Sequence, residues 1–296
     1  MPRLLSRRPA AALALVLVLA GCDASTDTTL DTRSATADTE DAVQAVARSL
    51  SLDGGGALED AASAVSVADR PAGLNPPDGR PPFPTRPGCT PVRTFDAATF
   101  VYTLTSECSR TSEGGRFSAS FARVATVRFL GADGQPQAER AGAAALDFDI
   151  LSGTARAVTP RGTHRLTRLV ADFAVTTLAD ELVTVNGTTT RETADSLRSP
   201  RGTRTVVAAV ALRLADVRGP RGVEEGWHRA VSGTITGTYR ATVTTTARGG
   251  TPTVREVTRD IAITLPRGGS DLAEIRLGGR LFHADRRTGT VRETPG

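Results

Sequence analysis

The sequence predicts an all-β protein, a meander of long antiparallel strands that forms a sandwich, a half-barrel or an open curved sheet behind a short helical and disordered N-terminal tether. First, 35 threonines lie between residues 81 and 296, and β-branched residues favour the half-buried surface of a sheet. Second, apolar residues or glycine alternate strictly with polar residues from Val231 to Thr244, which is the period of a strand. Third, segments of this kind recur along the chain, as a meander requires.

The N-terminus has the features of an export signal. Three arginines precede an uninterrupted apolar run from Ala10 to Ala20. The run is shorter than the ~20 residues that a membrane-spanning helix needs, and its length suits the hydrophobic region of a signal peptide. We therefore expect this segment to direct the chain out of the cytoplasm.

The residues that follow the apolar run are Leu19-Ala20-Gly21-Cys22, and they resemble the lipobox of bacterial lipoproteins. The resemblance implies that residues 1–21 are a lipoprotein signal peptide and that Cys22 carries a diacylglycerol. Cys22 would then be the first mature residue and the anchor in the outer or inner membrane of the cell envelope. An ordinary secretory signal with a coincidental cysteine is the alternative.

Residues 22–91 are expected to form an acidic, partly disordered tether. Residues 22–80 carry eleven acids and four arginines, whereas residues 81–296 carry 21 acids and 29 arginines. The polar segment Asp23–Thr39 has the composition of a mobile linker. Asp38 or Thr39 is predicted to cap a helix that ends before Gly54.

A second helix is predicted over Leu58–Val67, and eight prolines between residues 70 and 91 predict an extended, irregular segment. The two helices either dock on the main domain or bind a partner, and we expect docking.

Residues 92–296 are predicted to form one β domain of nine or ten strands, built from hairpins that repeat about every 50 residues. Arg204–Leu214 aligns without gaps on Arg255–Leu265, and a third copy surrounds Phe173. Each copy follows a Gly-Thr pair, at Gly153-Thr154, Gly187-Thr188 and Gly237-Thr238. Chance similarity among strands rich in Thr and Val is the alternative.

The repeat makes a prediction about burial. Phe173, Val210 and Ile261 should face one interior, and Val175, Leu212 and Ile263 should face it too, because they lie two residues further along each strand. Arg204 and Arg255 should occupy the same position in their two copies of the repeat, and Thr167 occupies that position in the third copy.

Cys89 and Cys108 remain once Cys22 is lipidated, and an even pair in an exported chain predicts a disulfide. The bond would tie the Pro-rich segment to a first strand over Phe100–Cys108, with a stabilisation of ~3 kcal/mol for a loop of this length. A cysteine nucleophile or metal site is the alternative, but no histidine lies near either cysteine in the sequence.

The residues that carry chemistry elsewhere are scattered. His164, His228 and His283 are isolated and lack the spacing of a metal motif. Asp147 and Asp149 share one face of a strand, either as a calcium or acid–base pair or as the solvated side of an edge strand. Nucleophile-elbow and phosphate-loop motifs do not occur in the sequence. We therefore predict no catalytic residue, no cofactor and no metal site.

These observations favour a non-enzymatic, lipid-anchored protein of the bacterial cell envelope with a binding or structural role. A carrier of lipid or another hydrophobic ligand in a curled sheet is the first alternative, and an apolar cavity would favour it. An envelope hydrolase is the second, and a histidine clustered with acids in a cleft would favour it.

The arginine excess of residues 81–296 suits an envelope protein or an anionic polymer as partner. Nucleic acid is not expected as a partner, because the chain is predicted to be exported. In addition, no aromatic residues are interleaved with the arginines to stack on bases.

Overall fold

A computed structural model describes residues 28–52, 55–69, 89–200, 202–221, 231–268 and 270–293. Cys22, the rest of the signal-peptide region and His228 lie outside these residues. The contacts divide the chain into two units, residues 1–36 and residues 37–296. Among described residues, the first unit contains the beginning of helix α1 (Thr28–Leu50). The second contains the rest of α1, helix α2 (Ala57–Asp69) and every described strand.

The described strands form one antiparallel sheet, so the all-β meander is confirmed. They are β1 (Cys89–Asp96), β2 (Val101–Thr111), β3 (Ser118–Leu130), β4 (Pro136–Gln137), β5 (Ala145–Thr159), β6 (Gly162–Thr176), β7 (Leu182–Ser199), β8 (Gly202–Pro220), β9 (Ser232–Ala247), β10 (Pro252–Leu265), β11 (Leu272–Leu277), β12 (Arg280–Asp285) and β13 (Val291–Glu293). Each strand pairs with its neighbours in sequence, except that β4 pairs only with β3, and β5 follows β3 in the sheet.

The sheet is open, with β1 and β13 at the two ends of the strand order. The sandwich, one of the three predicted arrangements, is therefore wrong, because all the described strands belong to one sheet and a sandwich needs two. The predicted first strand over Phe100–Cys108 corresponds to β2, and β1 precedes it. Pro91 lies within β1. Because β1 is an edge strand, it tolerates a residue that has no amide hydrogen to donate.

One face of the sheet, the inner face, packs against the helices. α2 is buried on nearly every side, and its closest strand neighbours are β5, β6 and β7. A helix buried in this way lies inside a core, and the apolar side chains of α1 belong to the same core. The opposite, outer face carries the alternate and mostly polar residues of each strand.

The burial predicted from the repeat is confirmed. Val210 is 4% exposed and Ile261 is 3% exposed, and Phe173 is fully buried. Val175, Leu212 and Ile263 are buried as well. All of them belong to the core that also contains the apolar side chains of both helices.

The three predicted repeats correspond to the hairpins β5–β6, β7–β8 and β9–β10, but their registers differ. Phe173 lies opposite Phe148 in the first hairpin, and Val210 lies opposite Arg191 in the second. In the third, Ile261 lies opposite Gly237. Within the second hairpin the register shifts at a bulge between Val185 and Gly187, because an extra residue in one strand displaces all later pairs.

The glycine of each Gly-Thr pair has a steric reason. A Cβ atom at Gly187 would lie 2.0 Å from the carbonyl oxygen of Asp172, and one at Gly237 would lie 2.0 Å from that of Ala211. A side chain cannot fit at either position without moving a neighbouring strand. Gly187 and Gly237 therefore mark places where backbones approach closely, whereas a Cβ atom at Gly153 would lie 2.9 Å from the side chain of Leu169.

α1 begins at Thr28, well before the predicted cap at Asp38 or Thr39. The predicted linker Asp23–Thr39 thus overlaps the helix from residue 28 onward. Asp38 does not serve as a cap, because its carboxylate accepts hydrogen bonds from arginines of the sheet. Tertiary contacts have here overridden a local capping signal.

The second helix, predicted over Leu58–Val67, is found as α2. Docking of the helices is confirmed, since the side chains of Val46, Leu50 and Leu58 are fully buried in the shared core. Within the described residues, neither helix combines the length and the apolar composition that crossing a membrane would require.

Candidate functional site

A buried ion-pair cluster attaches α2 to the inner face. The Asp60 carboxylate, 1% exposed, accepts hydrogen bonds from Arg123 Nη1 at 3.1 Å and from Arg191 Nη2 at 2.9 Å. Arg191 also donates to the carbonyl oxygen of Gly55. Arg123 comes from β3 and Arg191 from β7, so one helical carboxylate links two distant strands. Charge-assisted bonds of this kind are stronger than neutral ones.

A second ion-pair cluster attaches α1. Asp38 Oδ1 accepts hydrogen bonds from Arg255 Nη2 at 2.8 Å and from Arg204 Nη2 at 3.4 Å. Arg204 also donates to Asp41, from Nε at 3.0 Å. Arg204 and Arg255, aligned as equivalents in the repeat, therefore bind the same carboxylate. The partner was not predicted, but the opposite charges of residues 22–80 and 81–296 were a signal for it.

The charges of this second cluster act on Tyr239. Burial, reinforced by the negative charges of Asp41 and Asp38, raises the pKa of Tyr239 to about 12. The phenol is therefore protonated at every physiological pH. Its ring is 1% exposed and contributes to the core.

Arg286 is a further buried cation that the sequence reasoning missed. It donates to three backbone carbonyl oxygens, those of Val231 at 2.7 Å, Leu272 at 3.0 Å and Pro266 at 3.0 Å. Burial lowers its pKa to about 10, so the guanidinium stays charged at neutral pH. These bonds join the last strands of the sheet to the segment that precedes β9.

The predicted disulfide is confirmed. Cys89 and Cys108 are bonded, and their Cα atoms are 3.9 Å apart. The two residues lie directly opposite each other on β1 and β2. The bond therefore joins two neighbouring strands, rather than an irregular segment and a strand.

Of the three histidines, His164 and His283 lie among the described residues, and these two do not lie together. His164 on β6 pairs with Asp195, its register partner on β7. The pair is open to solvent, with side chains 45% and 30% exposed. His283 lies on β12, far along the strand order from β6.

Asp147 and Asp149 lie on the outer face of β5, which is bordered by β3 and β6. The prediction of an edge strand is thus wrong. Asp149 lies opposite Asp172 and accepts a hydrogen bond from Thr126 Oγ1 at 3.4 Å. Burial raises the pKa of Asp149, and Asp172 and Asp147 raise it further. Among the residues that the structure describes, no group of three His, Cys, Asp or Glu side chains is arranged to hold a metal ion.

We expect the Asp149→Asn variant to be more stable than the parent protein at pH 7. The pKa of this carboxyl is higher in the folded state than in the unfolded state, so the protonated group stabilises the fold. That contribution to the free energy of unfolding is present at low pH and is lost as the pH rises through the folded-state pKa. Asparagine keeps an acceptor for Thr126 and never acquires the charge.

Urea unfolding at pH 7 and at pH 3 measures the effect, and the gain should appear at pH 7 and vanish at pH 3. Asp180→Asn, an exposed position, is the control and should change little. A loss of stability at pH 7 would contradict the prediction.

A groove of about 600 Å³ crosses the outer face of β1, β2, β3, β5 and β6. Two rows of outward-pointing residues line it: Thr90, Glu107, Ala122, Thr154 and Thr167 on one side, and Ser109, Ser120, Arg156 and Arg165 on the other. The row between them forms the floor and consists of Cys108, Phe121, Ala155 and Leu166. Register irregularities beside the groove, at Val124 and Leu166, indicate that bulges bend the strands here.

Comparisons with protein-family models, with curated proteins and with solved structures find no match to this chain.

Proposed function

We propose that this chain is a lipid-anchored protein of the bacterial cell envelope, non-enzymatic, which acts by binding at the outer face of its sheet. The sequence Leu19–Cys22 supports the anchor, through its resemblance to a lipobox. The observation that carries the binding role is the packing of α1 and α2 on the inner face, where an internal ligand would otherwise lie.

The carrier alternative is less well supported, because its ligand would have to displace both helices. Their apolar side chains are fully buried, and the carboxylates of Asp38 and Asp60 are bonded to arginines of the sheet. Separating them would expose apolar surface and leave charged groups without partners. The hydrolase alternative has the exposed His164–Asp195 pair as its support.

The lipid anchor is tested by substituting Cys22. In a bacterial host, the parent protein should be cut after Gly21 and should carry a diacylglycerol, so that it fractionates with membranes. Cys22→Ala should give a larger, unprocessed form or a soluble form. Intact-mass analysis and detergent partitioning measure both results.

The control is Cys89→Ser combined with Cys108→Ser, which removes the other two cysteines and should leave the lipid in place. A Cys22→Ala protein that still carried lipid would exclude the anchor. A parent protein cut elsewhere and free of lipid would indicate an ordinary secretory signal.

A further inference from the structure

The groove on the outer face contains an unusual pair of charges. Arg156 on β5 and Arg165 on β6 are direct register partners, and both are exposed. Like charges directly opposite each other destabilise a sheet. Among the described residues, neither guanidinium has an acidic side chain in an ion pair with it. The fold therefore places two cations side by side without an acidic ion-pair partner for either in the described part of the chain.

The surroundings of the pair are rich in hydrogen-bond donors. The hydroxyl groups of Ser109, Ser120 and Thr154 line the same groove, whereas the Thr167 hydroxyl donates to the carbonyl oxygen of Glu192 at 3.1 Å. Guanidinium groups bind phosphate through paired, charge-assisted hydrogen bonds, and hydroxyl groups can complete its coordination. Glu107 is the one acid in the lining, so the lining carries two positive charges and one negative charge.

We propose that the outer groove binds a phosphate group, as a dianion, between the side chains of Arg156 and Arg165. The dianion would neutralise two cations that have no ion-pair partner among the described residues, and the hydroxyls of Ser120, the register partner of Arg156, and of Thr154 would donate to its remaining oxygens. A groove of about 600 Å³ has room for a small phosphate ester. The inference rests on the proposed binding role and names its ligand chemistry.

The experiment is calorimetric titration of the full chain with inorganic phosphate at low ionic strength. The parent protein should bind phosphate saturably. The double variant Arg156→Gln/Arg165→Gln should bind at least about tenfold more weakly, because it loses two charge-assisted contacts. Glu107→Gln should bind more tightly, since it removes a repulsive charge.

Arg240→Gln is the matched control, because Arg240 is also an exposed arginine on a strand's outer side, at β9. It lowers the net charge outside the groove and should change the affinity by less than about twofold. Equal losses for Arg240→Gln and the double variant would overturn the proposal, as would the absence of saturable binding to the parent protein.

Thermal melting separates binding from folding. Phosphate should raise the Tm of the parent protein and not that of the double variant, whose own Tm should be no lower, since a repulsion has been removed. If the double variant fails to fold, Arg156→Gln alone serves, and an unchanged affinity in that variant would count against the proposal.

Two further probes identify the source of the phosphate group. Tighter binding of monomeric dihexanoyl phosphatidic acid than of glycerol 3-phosphate would support a lipid headgroup, and equal binding would support a soluble ester. Neither titration depends on the lipid at Cys22. The groove and the anchor can therefore fail separately.

Discussion

Replacing Asp60 with alanine should lower the free energy of unfolding by about 3–5 kcal/mol, the usual cost of removing one partner from a buried ion pair. The substitution leaves Arg123 and Arg191, 8% and 5% exposed, side by side without the carboxylate that they share. Two guanidinium groups in a core that have lost their shared carboxylate either draw water in or expel the helix. We therefore expect α2 to detach first.

Denaturant unfolding measures the loss, and hydrogen exchange of the α2 amides locates it. Asp180→Ala is the control, because Asp180 is exposed and should lose less than about 0.5 kcal/mol. A triple variant, Asp60→Leu with Arg123→Met and Arg191→Met, should recover most of the stability, since an apolar replacement of a whole cluster avoids the cost of desolvation. A loss below about 1 kcal/mol for Asp60→Ala would mean that the cluster does not anchor the helix.

Truncation of Ile261 to alanine is expected to cost about 2–5 kcal/mol, the range for large-to-small changes in a core. Ile261 is 3% exposed and lies between Gly237 on β9 and Leu277 on β11. Gly237 has no side chain that could turn into the space left behind. The cavity should therefore persist, which places the cost in the upper part of the range.

Thr236→Ala is the paired control, because Thr236 is exposed on the opposite face of β9. It should cost less than about 0.5 kcal/mol. Denaturant unfolding of both variants in one buffer gives the comparison. Similar losses at the two positions would contradict the assignment of faces to these strands.

Which side chains of a strand face the core follows largely from the sequence, because the two-residue period of a strand depends only on neighbouring residues. Alternation along Val231–Thr244 determines which side chains share a face, whatever the neighbouring strand is. The burial of Val210 and Ile261 could be predicted in this way, and the Cys89–Cys108 bond follows from the number of cysteines. The recurring glycines also marked real features, since Gly187 and Gly237 lie where backbones approach too closely for a side chain.

Other features depend on which strands are neighbours and in what register, and a local pattern does not contain this information. Asp38 had the local signature of a helix cap, but Arg204 and Arg255 hold its carboxylate, from positions 166 and 217 residues away in the chain. Asp60 gives no sign of its role until β3 and β7 are placed around α2. Arg156 and Arg165 become a pair through the register of one hairpin.

By itself, the sequence determined the class of fold, the two faces of the long strands and the disulfide, because hydrophobic alternation and cysteine parity act over short distances or by simple counting. The tertiary structure decided that the acidic helices pack on the inner face and that a groove with two opposed arginines crosses the outer face. Both outcomes depend on bulges that shift the strand register and on ion pairs between residues that are far apart in the sequence. Such long-range terms are settled only when every strand has found its partner.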